Sequence, residues 1–170
     1  MMHIPEQLFI RSRKRERGVA TVEFALTAML LFTVIFVILD FSYLFLGNLS
    51  MQHAVREGAR YAVTGRADLD PNPQGTAQDR CDAAIVEIKN QSMGFFDRVS
   101  PTVVFKTVDA TTGAITPVPG NSCAAAGQII VISVSCSLAP LTPFITPFLA
   151  SGKFEFVVST TMKNEAFSGV

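Results

Sequence analysis

The chain has 170 residues, 49% of them hydrophobic, and 14 Lys/Arg against 14 Asp/Glu, so its formal net charge is zero. That length suits one modest domain plus a membrane segment. A mean hydropathy of +0.37 is high for a water-soluble protein, and no basic stretch interleaved with aromatics points to nucleic acid.

The charge is unevenly placed. Residues 1–18 hold five Lys/Arg against Glu6 and Glu16, a net +3, which leaves −3 for the remainder. The basic patch ends at Gly18, and an apolar run begins at Val19. Phe24 to Leu39 carries no charge; Glu23 and Asp40 bracket it, and apolar residues continue on either side. The whole run, residues 19–46, is about 28 residues or roughly 42 Å of helix. About 20 residues cross a bilayer, so the segment can span and its last turns emerge, with Asp40 near the outer interface. Lys/Arg precede the run and no such cluster closely follows it, so the N-terminus is expected on the cytoplasmic side. A cleaved signal peptide is the alternative. The run exceeds a usual signal core, however, and no small-residue cleavage site closes it.

Helical spacing continues past the span. Leu44, Met51, Val55, Ala59 and Ala62 recur at intervals of three, four or seven, which predicts a protruding helix over 47–65 that stops at Gly65. Gly47 and Gly58 mark either a bend or a close contact. After a polar loop, Asp79 is the expected cap of a second helix whose stripe is Cys81, Ala84, Ile85 and Ile88, ending near Gly94. Three β-rich runs follow, at Thr102 to Val108, Gln128 to Cys136 and Phe154 to Met162. Ile130, Ile132, Val134 and Cys136 share one face of the second. Between the last two runs, Pro140, Pro143 and Pro147 interrupt an apolar loop, residues 138–150, that packs on the sheet, touches the membrane or meets a partner. The expected fold class is α+β: a long N-terminal helix, a short helix and a small antiparallel sheet of about three strands in an exported domain, residues 66–170.

Three cysteines lie in the part expected outside the cytoplasm, where disulfides persist. Cys136 falls on an apolar strand face and suits a buried thiol. Cys81 and Cys123 lie at element ends and form the candidate disulfide, all three being reduced as the alternative. No metal or other cofactor is expected, since no CxxC occurs and His3 and His53 are remote from the cysteines. No GxSxG, HExxH, GxGxxG or P-loop pattern is present, so neither an enzyme nor a small-molecule substrate is expected.

A basic leader, Gly18, an apolar residue and Glu23 five positions on resemble the processing site of type IV prepilins. Together, Arg17-Gly18-Val19-Ala20-Thr21-Val22-Glu23-Phe24-Ala25-Leu26 and Ala54-Val55-Arg56-Glu57-Gly58-Ala59-Arg60-Tyr61-Ala62 resemble the TadE-like family, minor pilins or pseudopilins of the tight-adherence pilus. The stretch Thr161-Met162-Lys163-Asn164-Glu165-Ala166-Phe167 looks like that family's tail. The resemblance implies cleavage between Gly18 and Val19 by a prepilin peptidase. It also implies that Glu23 pairs with an α-amine, its own or a neighbour's, to set axial register; snorkelling of Glu23 to the headgroups is the alternative. Implied partners are the inner membrane, the peptidase, other pilin and TadE/TadF-like subunits and the Tad secretion machinery. The competing assignment is a membrane-anchored exported binding or adhesin domain with no pilus role.

Overall fold

The computed structural model describes residues 10–118 and 123–166; His3, Glu6 and Phe167 lie outside them. One helix, α1 (Ile10–Val63), runs for 54 residues, about 81 Å at 1.5 Å per residue. It ends two residues after Tyr61, where the Thr64 and Gly65 N–H groups donate to the carbonyls of Tyr61 and Ala62 and Gly65 takes a φ of 76°. α1 has two characters. From Phe24 to Leu39 its large apolar side chains are mostly exposed. From Leu44 onward the periodic stripe of Leu44, Met51, Val55, Ala59 and Ala62 is buried, and this half is the spine of the folded domain.

The second helix, α2 (Ala77–Gln91), begins after the N-cap Thr76. Asp79, expected as the cap, sits at the third helical position instead. Its carboxylate accepts the Gln74, Gly75 and Thr76 N–H groups and the Thr76 hydroxyl. These bonds, the hydroxyl first, hold Asp79 below its ordinary pKa. The carboxylate thus serves orphan donors from inside the first turn. α2 ends three residues before Gly94, with Ser92 as C-cap.

Among the described residues four strands follow, where about three were expected: β1 (Thr102–Val108), β2 (Ile115–Pro117), β3 (Ile129–Leu138) and β4 (Phe154–Lys163). The sheet is antiparallel in the order β2-β1-β3-β4. Asp109 turns β1 into β2 by accepting the Thr111 and Thr112 N–H groups, an Asx-type turn. Ile130, Ile132, Val134, Cys136 and Leu138 all lie on the buried face of β3 and join Met51, Val55 and Ile88 in one core cluster. The sheet therefore closes over the distal half of α1.

Candidate functional site: the anchor helix and its clasps

Gly18, Val19 and Glu23 all lie within α1 and are exposed. Among the described residues, a Cβ built at Gly18 meets nothing within 4 Å. Four residues past Glu23, the Thr27 hydroxyl donates to the Glu23 carbonyl at 2.9 Å, as Thr33 does to Met29 at 2.8 Å. Such back-bonding satisfies hydroxyls where no water is at hand. From Gly18 onward α1 is long and apolar enough to cross a membrane.

Asp40 is the point at which the bare half of α1 meets the domain. It is fully buried, at 0% exposure. Its Oδ1 accepts the backbone N–H groups of Leu141 at 2.8 Å and Thr142 at 3.0 Å, and its Oδ2 accepts the Thr142 hydroxyl. The apolar proline-rich loop is thus clasped to α1. Phe36, one turn below Asp40, stacks on Phe144 with ring centroids 6.0 Å apart. Ile145 turns into the core while Leu141, Phe144 and Phe148 stay exposed. One turn above Asp40, the Tyr43 hydroxyl accepts a 3.3 Å bond from Arg98.

The stretch from Ala54 to Ala62 divides by face. Ala54, Val55, Gly58, Ala59, Tyr61 and Ala62 are buried, whereas His53, Arg56 and Arg60 are exposed. Gly58 is a close contact rather than a bend. A Cβ there would lie 2.2 Å from Ile88 Cγ1 and 3.0 Å from the Ala84 carbonyl oxygen, so α1 and α2 touch where only glycine fits. Gly47 does the same against Leu138 and Phe95.

Tyr61 fixes the chain leaving α1. Its hydroxyl donates to Asp68 Oδ1 at 2.8 Å and accepts the Leu69 N–H at 3.2 Å, and the Arg66 guanidinium lies 5.0 Å above its ring. Bidentate bonding from Arg66, with the Tyr61 hydroxyl behind it, draws the Asp68 carboxyl down to about 2.

The segment Asn164-Glu165 closes the opposite side. The Glu165 N–H donates to the Val63 carbonyl at 3.0 Å, and the Asn164 N–H to the Gln128 carbonyl at 2.8 Å. The buried Asn164 amide donates to the carbonyls of Cys123, Ala124 and Ala125. Arg80 reaches the first two of these carbonyls from α2. Cys123, so held, forms a disulfide with Cys81, the Cα atoms 5.4 Å apart. Cys136 is free and buried, and burial pushes its thiol up to about 11. Sequence reasoning singled out Gly18, Val19, Glu23, Cys81 and Cys123. It placed Asp40 only by depth and gave no role to Asn164. No local signal tied Asp40 to the loop about 100 positions away that it holds.

Among the described residues no group of three or more His, Cys, Asp or Glu is placed to hold a metal ion. The functional elements are a candidate membrane-crossing helix and the small α+β domain built on its far half. Residues 18–60 match the family model described as TadE-like protein, so the matched segment is the bare half of α1 plus most of its packed half. No curated protein and no solved structure matches the chain.

Proposed function

We propose that this chain is a TadE-like minor pilin or pseudopilin that takes part in assembling a tight-adherence pilus from the inner membrane. The observation that carries the proposal is the continuity of α1. A single helix supplies both an exposed apolar segment and the spine of a folded domain, and the TadE-like match lies along that helix. Residues 1–18 are the basic cytoplasmic leader, 19–46 the membrane helix, 47–65 the protruding helix and 66–170 the periplasmic domain.

In this reading a prepilin peptidase cuts between Gly18 and Val19. α1 runs unbroken through that bond, so the peptidase must unwind it locally. Glycine makes this easier, since it weakens a helix by about 1 kcal/mol relative to alanine, and among the described residues nothing lies within 4 Å of a Cβ built there. Cutting removes the five leader cations and leaves an ammonium on Val19. Glu23, one helical turn away and exposed, is placed to meet that amine or one from a neighbouring subunit. Between helices packed in a low-dielectric environment such a pair offsets the cost of holding a carboxylate there.

Intact-mass spectrometry of membrane and pilus fractions, with and without the prepilin peptidase, tests the reading. The expected result is loss of residues 1–18 only where the peptidase is present. Full-length protein in peptidase-positive cells, together with normal piliation after deletion of the gene, would favour the anchored binding domain without a pilus role.

A further inference from the structure

Taking α1 as a membrane anchor, we propose that the proline-rich loop 138–150 is a lipid-inserting collar. Leu141, Phe144 and Phe148 enter the acyl region of the leaflet on the domain's side, alongside α1.

Three observations carry this. The first is depth. A hydrocarbon core of about 30 Å takes up about 20 helical residues. With Glu23 at one boundary, the other falls near Tyr43. Asp40 then lies about 5 Å inside the core and Phe36 about 10 Å inside, at 1.5 Å per residue. Phe144 is stacked on Phe36, so the loop tip lies below the boundary and not above it. Tyr43 with Arg98 on its hydroxyl sits at the boundary, where an aromatic hydroxyl and a cation are both at home.

The second is polar accounting. Irregular backbone is tolerated at acyl depth only where it is packed against protein that serves its polar groups. The Leu141 and Thr142 N–H groups and the Thr142 hydroxyl are all spent on Asp40, and Pro140, Pro143 and Pro147 have no N–H to satisfy. The carboxylate is enclosed by the donors it serves. Loop and acid each lower the other's cost of leaving water.

The third is continuity. Phe148 is 86% exposed, Leu141 60% and Phe144 51%. An apolar patch of this kind, on a face turned to water, marks a surface meant to be covered. It adjoins the exposed apolar band of α1 at Phe36, so one lipid surface covers both. The occupant is therefore the acyl region itself.

The chain contains no tryptophan, so single-tryptophan variants of the full-length protein report depth without background. Phe148→Trp, Phe144→Trp, Phe32→Trp and Val157→Trp are reconstituted in phosphatidylcholine vesicles whose acyl chains carry bromine near the headgroup or near the terminal methyl. Circular dichroism and continued protection of the Cys136 thiol establish that each variant is folded. Phe148→Trp and Phe144→Trp are expected to lose most of their emission to brominated lipid, Phe144→Trp to the deep bromines as well as the shallow ones. Phe32→Trp should be quenched best by the deep ones, and Val157→Trp, exposed on β4, by neither. Unquenched emission at both loop positions with Phe32→Trp quenched overturns the collar and leaves the anchor standing. A blue-shifted but unquenched loop tryptophan assigns the patch to a protein contact and also overturns it. Loss of quenching at Phe32→Trp removes the anchor reading, and the collar with it.

Discussion

Asn164 shows how much one buried amide can hold. Its side chain donates to three successive carbonyls, those of Cys123, Ala124 and Ala125. The same three-residue segment carries Cys123 and receives Arg80. Asn164→Ala is expected to cost about 1–3 kcal/mol, the scale of a lost buried hydrogen-bonding partner, with Arg80 still serving two of the carbonyls. In a domain of this size that lowers Tm by roughly 5–10 °C, measurable by thermal melting in detergent. Asn164→Asp should cost more, because it turns a carboxylate oxygen toward carbonyls. Equal, negligible shifts for both would show that the clamp carries no stability. Neither this residue nor Asp40 could be understood from local sequence. The partners of Asp40 lie about 100 positions away, and a lone acid at the edge of a span says nothing of a distant loop. Gly18 and Glu23 stand out in the sequence for local reasons, a break in charge and a single carboxylate in an apolar run.

The elements were legible in proportion to their length. The 3.6-residue stripe of α1 and the alternation of β3 are each sustained over many residues, and the residues named on those faces are the ones the core buries. β2 escaped notice because three residues, all exposed, present no alternation to read; its closing Pro117 is the residue type that strand edges tolerate. Gly58 drew attention as a weak point in a helix, but only the position of α2 could decide between a bend and a contact. Gly58→Ala should gain about 1 kcal/mol of helix propensity and still destabilise the protein, since the new methyl meets a carbonyl as well as a side chain. Ile88→Ala alone should cost about 2–5 kcal/mol. Urea titration of the double variant should show less than the sum of the two losses, because Ile88 is half of the clash. Strict additivity would mean that α1 and α2 do not meet at this point.

At the scale of the whole molecule, a small sheet and one short helix bury little by themselves, and the domain is completed by the distal half of α1 and by the Cys81–Cys123 link. Closing a 42-residue separation contributes on the order of 4 kcal/mol in the chain-entropy model. Counting thiols with an alkylating reagent at neutral pH reads both features. The native protein should label at none of its cysteines, since two are paired and burial holds Cys136 near 11. Unfolding without reductant should expose one thiol, and unfolding with reductant three. Labelling at Cys81 or Cys123 without reductant would remove the disulfide from the account.

The bond from Glu165 to the end of α1 has a consequence in time. Val63 receives its closing donor from a residue about 100 positions later, and β4, which flanks β3 along its whole length, is equally late. For a chain threaded across a membrane from its N-terminus, the apolar stripe of α1 reaches the far side long before the sheet that shields it. Until β4 and Asn164 arrive, the emerging chain is a long unshielded rod. It cannot lock into its final shape while still in transit, and in that interval its exposed stripe is open to any chaperone or sister helix waiting beyond the membrane.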